Sequence, residues 1–452
     1  MLVYLPIEIK DREYLPKIVL AHHILKNKKK SSIIISRSRL ARLTIEKYKN
    51  AIFFDKSLSI HKAKISERII QKNILSVLDE EGPITNWVSY MEDTRLPVDI
   101  LKKTHLYFVR GYDEKKFVEK KFKKKFTNIK VVGHPKYDLL NYPYYNFYKN
   151  EVEMIKNKYK KFVFIPSSFT HDLKGSNDYS KYLFKNYAKN KILKKKLKDS
   201  INTWNIDIKN YNSFLDLVKK LANDNRSFNF IFRPHPTQDI NKIENRIQNK
   251  PENLHIIYKY SITPWILSCD YYLHSHCTSV YEAAKLKKKI FCLNLNTNKS
   301  GVKLLRNPGY YFSDVKKFRV FFKKILNKKI KYDFKKVFLD DNFLFNYKKN
   351  KNSCKEILKH FSKINKDRVD DEFYFEENIY NSFKIIFKKL IFFMIKLRNI
   401  IRPEQDHFKN KYFDLKAEEI EYIVKKFSKL DKSKYEVSVK EIDKDVVLIK
   451  NY

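Results

Sequence analysis

Glycine is scarce in this 452-residue chain, with six in all. Neither G-x-G-x-x-G nor G-x-x-x-x-G-K-[ST] occurs, so dinucleotide redox chemistry and P-loop hydrolysis lack their usual phosphate cradles. Cysteine is equally sparse. Cys269, Cys277, Cys292 and Cys354 show no C-x-x-C spacing and no accompanying histidine pattern, which argues against a zinc site and a disulfide framework and fits a reducing cytoplasm. No metal and no resident cofactor is expected. Long apolar runs are missing too, since none reaches the roughly 18 unbroken residues of a membrane span. The nearest, residues 383–401, is cut by Lys388, Lys389, Lys396 and Arg398. It reads as an amphipathic helix packed on the protein, with a peripheral contact with an anionic membrane as the alternative. At the N-terminus Glu8, Lys10 and Asp11 interrupt the apolar run too early for a signal peptide, so the expected location is cytoplasmic, including the inner face of the cytoplasmic membrane.

What the chain has in abundance is positive charge, a formal +44. Clustered cations bind nucleic acid by releasing counterions, but here they are mostly lysines spread along the whole chain among Asn, Ile, Phe and Tyr. No specific nucleic-acid partner is expected; the charge favours smaller anionic partners such as nucleotide sugars and phospholipid headgroups. A hydrophobic share of 43% and an aromatic share of 15% are enough to build well-filled cores.

Short apolar runs alternate with lysine-rich helical segments, the pattern of βα units around a parallel sheet. Strands are expected at residues 3–7, 32–36, 51–54, 74–78, 106–109 and 130–132, with helices at 17–26 and 65–73. A second series follows a connecting helix at 151–160, with strands at 162–165, 228–232, 254–258, 271–273 and 290–293 and helices at 213–223 and 278–286. The predicted fold is therefore α/β, two Rossmann-like domains in tandem facing each other across a cleft, at residues 1–145 and 150–312. Residues 313–452 are expected to form a basic, mainly helical extension of unassigned role, with a helix near 416–428 and a small hairpin from 435–439 and 446–449.

In open parallel sheets ligands bind beyond the carboxyl ends of strands. Three such loops stand out. Asp79-Glu80-Glu81-Gly82 follows the strand at 74–78, and repulsion between adjacent carboxylates is expected to raise one of them toward the range of a general base, unless the cluster is only a solvated acidic turn. Arg233-Pro234-His235-Pro236 follows the strongest β signal; its two prolines pre-set the loop, and a guanidinium and an imidazole there can bind a phosphate, although His235 can equally cap a neighbouring helix. His274-Ser275-His276-Cys277-Thr278-Ser279 runs into a helix, with Ser275, Thr278 and Ser279 placed either to hold a phosphate or simply to cap that helix, and Glu282 one turn further on. His134, in Gly133-His134-Pro135, and the pair Ser167 and Ser168 are further candidates for lining the site.

The sequences DEEG, RPHP and HSHCTSVYEA resemble, in that order, the acidic, His-Pro and Ser-Ser/Thr motifs of bacterial sialyl- and polysialyltransferases. With LPIEIKDRE at the start and GHPKYDLL at the domain boundary, the chain to about residue 310 is similar to the bacterial surface carbohydrate biosynthesis protein family. RPHP and the Ser/Thr elements are also similar to those of CDP-glycerol glycerophosphotransferases. The resemblance implies a metal-independent, inverting GT-B glycosyltransferase. Its donor would be a CMP-activated acidic sugar, a nonulosonic acid or Kdo, and its acceptor a surface polysaccharide, glycan or glycolipid. It further implies that Glu81, or its neighbour Glu80, is the general base and that His235, beside Arg233, meets the leaving phosphate. Ser275, Thr278 and Ser279 would hold that phosphate, with Glu282 on the nucleotide. A glycerophosphotransferase using CDP-glycerol and an isomerase of the UDP-GlcNAc 2-epimerase type are the alternative expectations.

Overall fold

The computed structural model describes residues 1–37, 45, 49–80, 96–169, 197–236, 238–295, 304, 306–364, 386–387, 390, 393–394 and 413–451. Its contacts divide into two compact units: Met1–Phe147 with Asp340–Glu404 and Phe408–Tyr452, and Tyr148–Leu339 with Gln405–His407.

The first unit is built on β1 (Leu2–Ile7), β2 (Ser32–Arg37), β3 (Ile52–Asp55), β4 (Ile74–Leu78), β5 (Leu106–Val109) and β6 (Ile129–Val131). All six pair in parallel. The runs LVYLPI, SIIISR, IFFD and ILSVL are buried along their whole length, as a sheet covered on both faces requires. The helix expected at 17–26 begins earlier and spans Lys10–Asn27. The chain steps from β1 to β2 on one side, then returns to place β3 on the other. That reversal puts a topological switch point at the carboxyl ends of β1 and β3, where such sheets bind ligands.

The expected hairpin forms, as β13 (Val437–Asp443) and β14 (Val446–Asn451), but its destination was not legible in the sequence. Strand β14 pairs antiparallel with β2, from Val446 opposite Ser36 to Lys450 opposite Ser32. The tail thus covers the edge that β2 would otherwise expose. The helix Ala417–Asp431 packs on Lys10–Asn27 and buries Ile420, Ile423, Val424 and Phe427. Of the segment expected as one extension, Val315–Leu326 lies in the second unit, while Ser353–Phe361, Ala417–Asp431 and the hairpin lie in the first.

The second unit contains β7 (Phe162–Pro166), β8 (Asn229–Arg233), β9 (Leu254–Ile256), β10 (Tyr271–His274), β11 (Lys289–Leu293) and β12 (Tyr310–Phe312), all parallel. The order β12-β11-β10-β7-β8-β9 reverses between β7 and β10, a second switch point. Trp265 is fully buried and stacks on Phe164 at 6.0 Å. Strand β12 is not among the strands expected from the apolar pattern: only three residues long, it follows Gly309, whose φ of +98° and whose closeness to Ile290 leave no room for a Cβ. Among the described residues no helix is long and apolar enough to cross a membrane.

Candidate functional site

At the carboxyl edge of the first sheet the chain buries charge. Asp79 and Glu80 leave β4 with 4% and 5% exposure, so these two acids are buried and not solvated. The Glu80 amide donates to the Lys56 carbonyl beyond β3, and Arg110, beyond β5, donates from Nη2 to the carbonyls of Asp79 and Glu80 at 2.9 and 3.0 Å. The Glu80 carboxylate lies 3.5 Å from Lys17 Nζ and 2.9 Å from His134 Nε2. Lys17 comes from the first helix and His134 from the turn after β6, so three distant segments converge on one carboxylate. Gly133, at φ +81°, makes that turn possible, because a Cβ there would fall 2.3 Å from Asn346 Oδ1. Asn346 in turn accepts from the His134 amide at 3.2 Å and donates to its carbonyl at 3.0 Å.

His134 Nδ1 accepts the Lys136 amide hydrogen at 3.2 Å, so the ring carries its proton on Nε2 and turns it toward Glu80. The approach is close but out of line: neither Glu80 Oε2 nor His134 Nε2 has an aligned hydrogen-bond partner. Burial pushes the imidazole down to about 4, so it is neutral at pH 7. Burial alone would raise the Glu80 carboxyl, but His134, Lys17 and Arg12 outweigh it and hold the group well below the usual range. Glu80 is therefore not the acid of this cluster that is raised. Outside the cluster, Glu13 is raised by burial and by Glu80, and Glu114 is pushed by burial up to about 7. Glu81, the other candidate base, lies outside the described residues.

In the second unit the loops after β7, β8 and β10 are neighbours because their strands are. The Ser167 amide donates to the Arg233 carbonyl at 2.9 Å, and Ser168 Oγ donates to the Ser275 carbonyl. Arg233 lies over the Tyr258 ring at 4.2 Å and donates to the Tyr260 carbonyl at 2.9 Å, which holds the guanidinium at the sheet edge. His235 is half-buried. Its amide donates to Gln238 Oε1 and its carbonyl accepts from the Gln238 amide, both at 2.8 Å, which fixes the turn. The next helix, Ile240–Arg246, is capped by Asp239, leaving the His235 side chain without that duty.

Ser279 departs from both readings offered for it. It occupies the cap position of Val280–Lys285 without a side-chain capping bond, and its hydroxyl lies 2.6 Å from Tyr272 Oη and 3.0 Å from Cys277 Sγ, inside the core. Thr278 is half-exposed, whereas Ser275 and Glu282 are buried. His276 holds a left-handed backbone, φ 59°, with Nε2 2.9 Å from Asn294 Oδ1. All four cysteines are free and buried, and among the described residues no group of His, Cys, Asp and Glu is arranged to hold a metal.

Two buried groups escaped sequence reasoning. Lys17 sits in the apolar run KIVLAHHIL, where an isolated lysine in a buried helix signals a paired charge. His274 ends β10, wholly buried, its Nδ1 accepting the Cys277 amide hydrogen at 3.1 Å and its Nε2–H without a partner. Burial pushes His274 down to about 3. Because the unfolded chain takes up a proton near pH 6.5 that the folded site refuses, this group's contribution is complete above pH 6.5 and is lost as pH falls toward 3. Asparagine at 274 keeps the acceptor and removes the titration. The unfolding free energy of the wild type relative to His274→Asn should therefore fall by about 1.4 kcal/mol per pH unit below pH 6.5, read from urea melts at several pH values. A flat difference would show that His274 does not titrate in this way.

No family model matches the chain, and no curated protein matches it. Solved structures do. UDP-GlcNAc 2-epimerase from Neisseria meningitidis, bound to UDP-GlcNAc, is 13% identical, covers 80% of this chain and 99% of its own, and superposes with a TM-score of 0.50. The enzyme of the same name from Methanocaldococcus jannaschii is 12% identical over 80% of this chain and 99% of its own, at 0.47. The wall teichoic acid polymerase TagF is 12% identical over 80% and 88%, at 0.43. At such identity the likeness to the Neisseria enzyme is one of fold. The chain has an α/β fold of the GT-B type, as the resemblance implied, with the two Rossmann-like units that the sequence pattern predicted.

Proposed function

We propose that this chain is a nucleotide-sugar-dependent glycosyltransferase acting in surface carbohydrate synthesis. It moves a CMP-activated acidic sugar onto a hydroxyl of a glycan or glycolipid, with inversion and without a metal. The observation that carries the reading is the Lys17–Glu80–His134 cluster. Taking charges out of water is costly, and well-packed apolar residues would serve stability as well or better. A buried cluster at the carboxyl end of a parallel sheet is what a positioned acid–base loop requires.

On this reading Glu80 is the anchor and Glu81 the base. Glu80 is buried and held ionised by its neighbours, which makes it a weak proton acceptor; its pairing instead fixes the chain immediately before Glu81. Glu81 takes the proton of the acceptor hydroxyl, whose oxygen forms the new bond to the anomeric carbon. The old glycosidic bond breaks, and its electron pair leaves with the CMP phosphate. Arg233, His235, Ser275 and Thr278 supply hydrogen bonds to that phosphate as its charge grows. Ser279, engaged with Tyr272, positions this loop, Ser167 and Ser168 shape its neighbour, and Glu282 meets the nucleotide.

The fold likeness to an epimerase favours a second reading, in which the same architecture rearranges UDP-GlcNAc. A thermal-shift panel of CMP, CDP, UDP and GDP separates the readings, because a ligand that binds only the folded state stabilises it. Cytidine nucleotides should raise the melting temperature. A shift with UDP alone, together with conversion of UDP-GlcNAc in the absence of an acceptor, would favour the isomerase. Consumption of CDP-glycerol would mark a glycerophosphotransferase.

A further inference from the structure

Ile386, Phe387, Leu390, Phe393 and Met394 stand 55%, 66%, 54%, 55% and 59% exposed. All five are helical, and their spacing at i, i+1, i+4, i+7 and i+8 places them on one face. The sequence led to the expectation that this face packs on the protein; in the structure these five side chains are bare. A cluster of large apolar side chains on one helix face marks an interaction surface.

The chemistry of the partner follows from the charges around it. Between residues 383 and 401 the sequence has Lys384, Lys388, Lys389, Lys396 and Arg398 and no acid. These cations are interspersed along the sequence with the apolar residues, so an anionic surface that receives the apolar side chains also meets the lysines. A second copy of this chain would bring the same cations against one another, adding repulsion between two molecules that each carry a formal +44. An acidic headgroup layer instead meets both requirements, with apolar side chains entering the acyl boundary and lysines remaining among anionic headgroups.

We propose that this helix face docks the protein on an anionic lipid bilayer, lying in the plane of the headgroups. The inference stands apart from the transfer reaction, since none of its residues belongs to the catalytic or donor machinery. It is tested by co-sedimenting the full chain with vesicles of phosphatidylcholine, alone or with about a third phosphatidylglycerol, at about 0.1 M and about 0.5 M salt. The variant Phe387→Ser/Phe393→Ser keeps every charge and, both positions being exposed, should keep the wild-type circular dichroism spectrum. Wild type should bind the anionic vesicles, weaken at the higher salt, and bind at least about tenfold more tightly than the variant. Equal binding by wild type and variant would overturn the proposal by showing that charge alone attracts the protein. Absence of wild-type binding, or equal binding to phosphatidylcholine alone, would overturn it as well. So would a wild-type dimer that the substitutions convert to monomer, because the face would then belong to a second copy.

Discussion

Glu80→Gln is expected to lower the unfolding free energy by about 3–5 kcal/mol, whereas Glu81→Gln leaves stability unchanged and lowers turnover about 10²–10⁴-fold. The first effect comes from what glutamine leaves behind. Lys17 is fully buried, 3.5 Å from the Glu80 carboxylate, with its Nζ over the Phe54 ring at 4.0 Å and its remaining hydrogen bond to the Phe54 carbonyl a long 3.4 Å. Burial already pushes its ammonium below the ordinary lysine value, and Glu80 is the strongest influence opposing that. Removing the carboxylate leaves a fully buried cation to be balanced by Glu13 and Asp55, whose influence on it is weaker than that of Glu80. A double-mutant cycle isolates the pair: Lys17→Met should cost less in the Glu80→Gln background than in the wild type. Additive costs would show that the two do not interact. If Glu80→Gln abolished turnover at full stability while Glu81→Gln remained active, the roles of base and anchor would be reversed.

Removing residues 413–452 is expected to prevent the first unit from folding. The loss includes Phe413, Leu415, Ile420, Ile423, Val424, Phe427, Val446, Val447, Leu448 and Ile449, all buried. At about 1.5–3 kcal/mol for each fully buried side chain, this exceeds the 5–15 kcal/mol by which domains are stable. Polar groups are stranded too. His22 lies 2.6 Å from Tyr435 Oη and 2.9 Å from Asp431 Oδ2, and Tyr144 donates to the same Asp431 oxygen at 2.8 Å. Arg37 pairs with Asp445 in a buried ion pair. Each would lose that interaction with the tail, and a buried polar group that loses a hydrogen bond costs stability. The shortened chain should aggregate on expression and be degraded by trypsin under conditions in which the full chain survives. A soluble, protease-resistant product would show that the tail is dispensable.

Much of the fold was legible because parallel strands covered on both faces are written as continuous apolar runs, and SIIIS, IFFD and FNFIF leave little choice. The loops after those strands were legible for the same reason. Pairings between residues far apart were not. Nothing near residue 80 points to Lys17 or His134, so the cations that hold the Glu80 carboxyl down were not legible in the local run of acids. Nothing in the alternation of residues 446–449 points to β2, because strand register depends on which edge is open. Ser279 illustrates the limit at one position: its place before a helix predicts a cap, but the neighbouring Tyr272 and Cys277 take its hydroxyl. Strand β12 went unseen because three residues carry no period.

The central claim, that the strand-end loops of this chain serve a cytidine-activated sugar donor, is tested most directly by melting the protein in the presence of nucleotides. At a concentration of CMP or CDP about 100 times its dissociation constant, the folded state should gain about 2.7 kcal/mol, and Arg233→Ala should remove most of that gain. No shift with either cytidine nucleotide, or a full shift that survives Arg233→Ala, would contradict the account.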